Sequence, residues 1–345
     1  MRPRTPNSLQ LEEVPEPDPR SGRILVRAVA LGICGTDREI VAGQYGTPPH
    51  GEQRLILGHE SLGRVEDAPP DCGFNRGDLV VGIVRQPDPV PCPNCAAGEW
   101  DMCRNGRYTE HGIKERNGFG AEWWRIDPAY AVKVDRSLGR LGVLLEPASV
   151  VAKAWEHTER IGRRGIWQPR CVLVTGAGPI GLLAALFAAQ RGFELHVVDR
   201  ATSGLKPALV QAIGGSYHSE PLAKLGLDPD IVLECTGAPD VVIEVMGRSA
   251  PNGIVCLAGV SASGVQTMVD AGALNRTIVL ENEVVFGSVN ANRRHYEAAL
   301  VALKRADRGW LEKLVTRRVP LAQWQEALER RPNDVKTVLE FQDVA

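Results

Sequence analysis

Short apolar runs separated by turn residues occupy the chain up to about residue 150. Residues 24–29, 79–84 and 123–134 are runs of this kind, and glycines and prolines stand between them. Apolar runs of strand length that end in such residues are typical of β-strands. We therefore predict that the first part of the chain is all-β.

From Cys171 onward, segments with strand and helix patterns alternate. Strands are predicted at 171–175, 195–198, 231–234, 254–258 and 284–289, and helices at 180–191, in the stretch that ends at Gly214-Gly215, and near 241–246. Alternation of this kind implies parallel strands with helices on both faces. A helix at 295–304 and a last strand at 337–341 follow. The predicted fold class is α/β, with a β-rich part and a doubly wound parallel sheet.

Length and composition narrow the class of protein. A chain of 345 residues is longer than a single hydrophobic core usually accommodates and is long enough for two domains. Lys and Arg number 40 against 42 Asp and Glu, and the pairs Arg163-Arg164 and Arg317-Arg318 are interpreted as solvated surface, so nucleic-acid binding is not indicated. No window reaches the roughly 18 consecutive apolar residues of a membrane span. Eight cysteines are too few for a disulfide scaffold, so we expect a cytoplasmic protein whose cysteines serve first as metal ligands.

A glycine-rich motif stands between the first predicted strand of the second part and the helix that follows. It reads Gly176-Ala177-Gly178-Pro179-Ile180-Gly181. In that context the chain turns tightly, and a pyrophosphate can approach backbone N–H groups at the helix N-terminus. Asp199 closes the next strand, about 20 residues on, where a carboxylate accepts hydrogen bonds from ribose hydroxyls. Asp199 favours NAD, whereas Arg200 beside it could pair with a 2′-phosphate and makes NADP the second choice.

Three cysteines have the spacing of a structural zinc site. Cys92, Cys95 and Cys103 form a C-x2-C-x7-C pattern, in which three thiolates can close on one tetrahedral ion. Free exposed thiols at this density would be prone to oxidation. A fourth ligand is needed, and Asp88 is the nearest candidate upstream.

A second set of metal-binding side chains is dispersed along the chain. Cys34 lies in Gly-Ile-Cys-Gly-Thr-Asp, His59 in Gly-His-Glu, and Glu146 in Leu-Glu-Pro. Each alone has an ordinary explanation, as a small buried thiol, a satisfied histidine or a turn residue. Together they supply sulfur, nitrogen and oxygen and leave one coordination position open, which is the arrangement of a catalytic zinc.

These motifs resemble those of the zinc-dependent medium-chain alcohol dehydrogenase superfamily, and within it those of the glucose 1-dehydrogenase branch. The resemblance spans nearly the whole chain and is carried by residues 34–40 (Cys-Gly-Thr-Asp-Arg-Glu-Ile), 57–60 (Leu-Gly-His-Glu), 108–113 (Tyr-Thr-Glu-His-Gly-Ile) and 144–147 (Leu-Leu-Glu-Pro). It implies a GroES-like β-rich catalytic domain at residues 1–160 and 290–345. A Rossmann dinucleotide-binding domain at 161–289 is implied between them.

The resemblance also implies roles for individual residues. Cys34, His59 and Glu146 match ligands of the catalytic zinc, with Glu60 as a neighbouring ligand that enters or leaves the coordination shell. The positions that match sugar contacts are Thr36, Glu110, Glu146 and Asn290. The positions that match dinucleotide contacts are the glycine-rich motif with Asp199, Arg200, Ala201, Ser288, Val289 and Asn290.

Two departures from the family pattern stand out. Pro89 occupies the place where the family often has the first of four cysteines, so the cysteine lobe uses Asp88, binds metal weakly, or binds none. Residues 1–7 lack the apolar strand that usually opens this fold. The sequence therefore leaves open both the first strand of this fold and whether the natural start lies upstream of Met1.

The implied reaction is the zinc-dependent oxidation of an aldose, D-glucose first, at C1 to the lactone, with hydride transfer to NAD or NADP. Zinc serves as a Lewis acid, Thr36 relays the proton, and Glu60 or Glu146 accepts it. The alternatives are another aldose, an acyclic polyol such as sorbitol, and, more remotely, a dinucleotide-binding protein without catalysis. A DNA-binding zinc module around Cys92 is disfavoured by the charge and by the missing second ligand pair.

The expected partners are a small-molecule sugar and further copies of the same chain. Neither nucleic acid nor a membrane is expected as a partner. The predicted strand at 284–289 closes the parallel sheet and offers an edge for subunit pairing. We therefore expect a homodimer or homotetramer.

Overall fold

The computed structural model describes residues 1–261 and 264–341, which divide into two compact units. Unit 1 consists of Met1–Ser149 together with the C-terminal segment that begins at Asn290, and unit 2 consists of Val150–Val289. A helix at Leu145–Gly162 begins in unit 1 and ends in unit 2. The division between the two compact units therefore falls inside this helix. The domain bounds at residues 160 and 290 stay a prediction.

The described residues form sixteen strands. Unit 1 contains the first eight and the last two of them, and unit 2 contains the remaining six. In chain order they are β1 (Ile24–Ile33), β2 (Glu60–Asp67), β3 (Leu79–Gly82), β4 (Arg85–Gln86), β5 (Thr109–His111), β6 (Glu115–Arg116), β7 (Trp123–Ile126), β8 (Ala131–Lys133), β9 (Cys171–Thr175), β10 (Glu194–Val198), β11 (Ser216–His218), β12 (Ile231–Glu234), β13 (Ile254–Leu257), β14 (Val284–Gly287), β15 (Val315–Pro320) and β16 (Lys336–Glu340).

Ten α-helices connect these strands in the described part of the chain. They are α1 (Gly35–Val41), α2 (Pro93–Ala96), α3 (Leu145–Gly162), α4 (Pro179–Gln190), α5 (Leu205–Ala212), α6 (Pro239–Val245), α7 (Ala271–Leu280), α8 (Arg293–Arg305), α9 (Arg308–Leu314) and α10 (Trp324–Leu328). None of these helices combines the length and the apolar character that crossing a bilayer requires.

The main sheet of unit 1 has seven strands. Its order is β15-β16-β1-β2-β3-β8, and β7 pairs with the first residues of β1. The last strand of the chain returns beside the first, so that residues 30–33 of β1 pair with residues 337–340 of β16. A separate three-stranded sheet has the order β4-β5-β6. The end of β1 is therefore flanked by β2 on one side and by β16 on the other.

Alternation of side chains packs the core of unit 1. Ile24, Val26 and Ala28 of β1 are buried in one hydrophobic cluster with Trp124 and Ile126 of β7. Successive side chains of a strand point to opposite faces, so residues two apart share the core face. The apolar runs that predict these strands thus form the support on which the end of β1 is held.

Unit 2 contains a six-stranded sheet in which every described pair is parallel. The strand order is β11-β10-β9-β12-β13-β14. Counted from β9, this is the order 3-2-1-4-5-6 of the doubly wound dinucleotide-binding fold. The parallel sheet predicted from the alternating pattern is confirmed, and its ligand edge lies where the strand order reverses, at the carboxyl ends of β9 and β12.

The first part of the chain is not all-β, so that prediction is wrong. The helix α1 follows β1 directly, because Oδ2 of Asp37 accepts the backbone N–H of Cys34 at 2.8 Å and caps the helix N-terminus. The predicted run at 123–134 is also interrupted by a turn at Pro128–Tyr130, where the side chain of Asp127 accepts the N–H of Ala129. Both interruptions come from an aspartate that captures a backbone donor.

Candidate active site

Three side chains from two neighbouring strands meet in unit 1. Cys34, His59 and Glu60 each offer one ligand atom, and these atoms all lie within 4.8 Å of one another. Cys34 follows the last residue of β1, and His59 precedes β2, whose first residue Glu60 pairs with Gly32. A side chain at Gly32 would collide with the Glu60 carboxylate. The pairing of β1 with β2 therefore gathers a thiol, an imidazole and a carboxylate.

Asp37 orients the imidazole of His59. Both side chains are buried, and Nδ1 of His59 lies 3.3 Å from Oδ1 of Asp37. Burial by itself lowers the pKa of His59, but the Asp37 carboxylate and the Cys34 thiol outweigh it and raise the pKa well above its ordinary value. A carboxylate on one ring nitrogen leaves the other nitrogen to face a metal, as is usual for metal-binding histidines.

Lys336 places a positive charge next to this group. It is buried, it forms an ion pair with Oε2 of Glu60, and its Nζ donates to the carbonyl of Ile33 at 3.2 Å. Lys336 is the first residue of β16, so the pairing of β16 with β1 delivers it. Sequence analysis missed Lys336, because a lysine in a C-terminal strand carries no local motif.

Glu146 lies at the start of α3 and outside the set of ligand atoms that converge within 4.8 Å in the described residues. Burial raises the pKa of Glu146 to about 7, since the positive charges of His59 and Lys336 offset it only in part and Glu60 adds to it. The Glu146 carboxylate thus has too little positive charge around it to ionise at its usual pH.

A zinc ion fits these residues. Cys34, His59 and the two glutamates supply sulfur, nitrogen and oxygen donors, the set that zinc takes in catalytic sites. Glu60 already has Lys336 as its counter-ion, whereas Glu146 lacks a charge that a cation would supply. The electrostatics therefore favour Glu146 as the carboxylate that gains most from a metal.

Thr36 belongs to a pair of hydroxyl groups. Its side chain lies near that of Tyr45, whose own pKa is raised by burial and lowered in part by Thr36. The charges of His59 and Cys34 also act on the pKa of Tyr45. A second hydroxyl, which the sequence analysis did not indicate, is thus close to Thr36.

Glu110 and Asn290, both predicted to contact the sugar, are hydrogen-bonded to each other. Nδ2 of Asn290 donates to Oε1 of Glu110 at 2.7 Å. The buried guanidinium of Arg85 donates to the same oxygen at 3.0 Å and lies 3.7 Å from the ring centre of Tyr108. Arg85, which no motif marks, therefore holds the Glu110 carboxylate in place.

The three cysteines of the lobe converge as predicted. One ligand atom each from Cys92, Cys95 and Cys103 lies within 4.8 Å of the others. Backbone N–H groups of Arg104 and Cys95 point at Sγ of Cys92 and lower the pKa of this thiol to about 6. Burial raises the pKa of the Cys95 thiol to about 11. The sulfur atoms fit three positions of a tetrahedral metal site.

The carboxylate of Asp88 does not join the three cysteines in the described structure. Its Oδ1 accepts the N–H of Val90 at 2.8 Å, and its Oδ2 accepts from Asn105 at 2.8 Å and from Arg107 at 3.2 Å. Both oxygens are thus used within the loop. Asp88 as the fourth ligand is not supported, because neighbouring donors hold its carboxylate.

The glycine-rich turn has the shape that a pyrophosphate requires. Gly176 follows β9 with a φ of +88°, a conformation that only glycine adopts readily. A side chain at Gly181 would collide with the carbonyl of Gly176, whereas a Cβ at Gly178 would meet nothing within 4 Å. Pro179 then begins α4. The open side at Gly178 fits a phosphate at the N-terminus of α4.

Asp199, at the end of β10, has a partner that the sequence analysis missed. Nζ of Lys206 lies 3.1 and 3.2 Å from its two carboxylate oxygens. The same carboxylate accepts the N–H groups of Ala177 at 2.7 Å and of Ala201 at 3.0 Å. Arg200 is exposed beside it. The negative charge that favours NAD is therefore offset by a lysine from α5.

The remaining dinucleotide positions follow β14. The N–H of Ser288 donates to the carbonyl of Leu257 at 3.0 Å, and the carbonyl of Val289 accepts from Nζ of Lys153 at 2.9 Å. Ser288 and Val289 follow the carboxyl end of β14, the same edge of the parallel sheet that carries the glycine-rich turn. Asn290 belongs to unit 1.

Two family models together match most of this chain. Residues 20–136 match the alcohol dehydrogenase GroES-like domain, and residues 139–341 match the glucose dehydrogenase C-terminus. The chain belongs to the glucose dehydrogenase branch of the zinc-dependent alcohol dehydrogenase superfamily. The main sheet of unit 1 is accordingly that of a GroES-like domain, and the parallel sheet of unit 2 is a Rossmann sheet.

Similar members of the branch match over nearly their full length. The chain is 41% identical to glucose 1-dehydrogenase 2 of Vulcanisaeta moutnovskia, over 98% of this chain and 97% of that one. It is 39% identical to glucose 1-dehydrogenase of Methanocella arvoryzae, over 97% and 96% of the two chains. A solved structure of Haloferax mediterranei glucose dehydrogenase in complex with NADP, Zn and gluconolactone matches with a TM-score of 0.89, 34% identity and 96% coverage of both chains.

The raised pKa of Glu146 predicts a pH dependence in the metal-free protein. The folded-state pKa is about 7 and the unfolded value is 4.5, so the folded state holds an extra proton between these two values. The contribution of Glu146 to the free energy of unfolding is therefore fully present below pH 4.5 and is lost as the pH rises towards 7. Glu146→Gln should remove that loss, which amounts to about 3 kcal/mol.

Chemical denaturation of chelated protein at pH 5 and pH 8 measures this difference in unfolding free energy. Glu13→Gln makes the same chemical change at an exposed position and should leave the difference as in the parent chain. Equal pH dependence in Glu146→Gln and the parent chain would contradict the assignment of the shift to Glu146.

Proposed function

We propose that this chain oxidises an aldose, with D-glucose preferred, at C1 to the lactone and passes the hydride to NAD or NADP. The observation that carries the proposal is the convergence of Cys34, His59 and Glu60 in unit 1. Relatives of this chain in the same branch are named glucose 1-dehydrogenases. The similar structure of Haloferax mediterranei glucose dehydrogenase contains NADP, Zn and gluconolactone, which are the expected cofactors and product.

Cys34, His59 and Glu146 are proposed to hold the zinc, with Glu60 beside it. When bound there, zinc supplies Lewis acidity toward a sugar hydroxyl and makes its proton easier to remove. Asp37 keeps the His59 ring oriented, and Lys336 keeps Glu60 compensated when Glu146 is used as the ligand.

The hydroxyl pair of Thr36 and Tyr45 gives the proton a route away from the reacting oxygen. A hydroxyl both donates and accepts, so two in contact can pass a proton along. Glu60 or Glu146 is the proposed final acceptor.

Glu110 and Asn290 are proposed to bind sugar hydroxyls, because an aldose needs several fixed hydrogen-bonding groups. Arg85 holds one oxygen of Glu110, and the second oxygen remains to accept from the substrate. A site that pairs each hydroxyl rejects an analogue that lacks one. This polar set suits a polyhydroxylated substrate, and the gluconolactone bound in the similar Haloferax mediterranei structure favours an aldose over an acyclic polyol.

The first experiment follows formation of reduced cofactor with glucose, galactose, xylose and sorbitol, each with NAD and NADP. Glucose or a close aldose should be oxidised, a chelator should abolish the rate, and zinc should restore it. Cys34→Ala should lower kcat/KM by more than about a hundredfold, because it removes a ligand. Cys72→Ala, which removes a thiol far along the chain, should keep the parent rate. An undiminished rate after complete chelation would contradict the zinc-dependent reaction.

Lys206 is proposed to permit NADP as well as NAD. Its charge offsets the repulsion between Asp199 and a 2′-phosphate, so Lys206→Met should lower kcat/KM with NADP by roughly tenfold and leave NAD little changed. Lys224→Met removes an exposed lysine of the same unit and should keep the ratio of the two values. A ratio that is the same in Lys206→Met and the parent chain would contradict this role.

A homo-oligomer is proposed, with the edge of the unit 2 sheet as an interface. The strand β14 is the edge strand, and α7, which precedes it, contains no buried residue. Met268 is 98% exposed and Leu280 is 60% exposed in the same stretch. An unpaired strand edge beside exposed apolar side chains is typical of a subunit contact.

Met268→Glu with Leu280→Glu should shift the parent oligomer towards monomer in analytical ultracentrifugation, because charges resist burial at an interface. Ile166→Glu changes an apolar residue that is 100% exposed in another part of the same unit and should leave the mass of the oligomer unchanged. A parent chain that sediments as a monomer at micromolar concentration would rule the interface out.

A further inference from the structure

A group of metal-binding side chains lies in unit 2 and has no part in the reaction proposed above. Cys171, Glu194 and His196 each offer one ligand atom, and these atoms all lie within 4.8 Å of one another. Cys171 is the first residue of β9 and Glu194 the first residue of β10. The group therefore sits at the amino-terminal edge of the parallel sheet, opposite the carboxyl ends that carry the glycine-rich turn.

Strand pairing dictates that these side chains share one face of the sheet. Cys171 pairs directly with Glu194, and His196 lies two residues further along the same strand. Leu173 lies two residues after Cys171 and Val198 two residues after His196, and both pack in one hydrophobic cluster on that face. Side chains two apart in a strand point the same way, so the convergence is a property of the sheet register and not of a mobile loop.

The histidine is held in the orientation of a metal ligand. Nε2 of His196 lies 3.1 Å from Oε1 of Glu194, and Nδ1 lies 2.9 Å from Nε2 of His218 on β11. A metal-binding imidazole usually donates its second N–H to another acceptor, which fixes the ring. His218 supplies that acceptor, and His196 itself is buried.

The electrostatic surroundings favour a cation at this place. The half-buried Cys171 thiol lies in the negative field of Glu194, Asp230 and Asp228. A thiol surrounded by carboxylates is difficult to ionise unless a positive charge arrives with it. A divalent ion supplies that charge and is attracted by the same carboxylates.

We propose that Cys171, Glu194 and His196 form a third metal site, which binds zinc or a similar late first-row divalent ion. The thiol loses its proton to solvent as the metal–sulfur bond forms, the imidazole binds through Nε2 while its Nδ1–H donates to His218, and one carboxylate oxygen of Glu194 binds. Water takes the fourth position. Mixed sulfur, nitrogen and oxygen donors select such ions over magnesium or calcium.

The site would clamp β9 to β10 and, through His218, to β11. Cys171 and Glu194 lie at the amino-terminal edge of the sheet, opposite the glycine-rich turn, so the metal serves the stability of the Rossmann sheet and not hydride transfer. The inference is independent of the proposed function, since it concerns residues that the reaction does not use.

Metal stoichiometry of the full chain tests the proposal. Protein stripped with a chelator is titrated with Zn²⁺ in competition with a chromophoric indicator, and the parent chain should bind one equivalent more than Cys171→Ser or His196→Gln. Glu194→Gln, at an exposed side chain, should weaken the site by about tenfold or more, and His218→Gln by about tenfold through the lost orientation.

Cys72→Ser is the matched control. Its thiol contacts only the carbonyl of Phe74 among the described hydrogen bonds, and it should bind as many equivalents as the parent chain. Loading with Co²⁺ gives a second readout, since the thiolate charge-transfer absorption should fall in Cys171→Ser and remain in Cys72→Ser. Identical stoichiometry and absorption in Cys171→Ser and the parent chain would overturn the proposal, and circular dichroism of each variant separates this result from misfolding.

Discussion

Charged groups buried at the end of β1 constrain the rest of unit 1. Asp37, His59, Glu60 and Lys336 are all at least nine-tenths buried, and a buried ion is costly unless another charge compensates it. Two pairs meet this condition, Asp37 with His59 and Glu60 with Lys336. The Glu146 carboxylate is left without its full counter-charge, and a divalent cation beside the Cys34 thiol would complete the balance. The buried charges that are unfavourable without a metal ion thus mark the place where a cation would bind.

Local patterns predicted the elements whose chemistry is local. The strand before Gly176, the turn and the helix after it are contiguous, so spacing and periodicity indicate all three, and β9 and β12 have the predicted bounds. Cys34 and His59 were also predictable, because each lies in a short motif and the pairing of β1 with β2 brings them together. The helix α1 was missed, since apolar periodicity does not reveal an aspartate that caps a helix start.

Contacts that depend on pairing between segments far apart in the chain could not be predicted from the sequence. Lys336 reaches Glu60 because β16 returns to β1, and Arg85 reaches Glu110 because β4 pairs with β5. Lys206 reaches Asp199 because α5 follows β10 closely. Asp88 is the reverse case, since its position in the sequence near the cysteines predicts a metal ligand. In the structure, Val90, Asn105 and Arg107 donate hydrogen bonds to its carboxylate instead. In each case the deciding partner lies where no motif marks it.

The position of bound zinc can be measured directly. Anomalous diffraction data collected from crystals on both sides of the zinc absorption edge locate the ion without reference to activity. We expect a strong peak bounded by Sγ of Cys34, the imidazole of His59 and the carboxylate of Glu146, with Glu60 still paired to Lys336. A zinc-containing crystal with no peak between Cys34 and His59 would contradict this expectation.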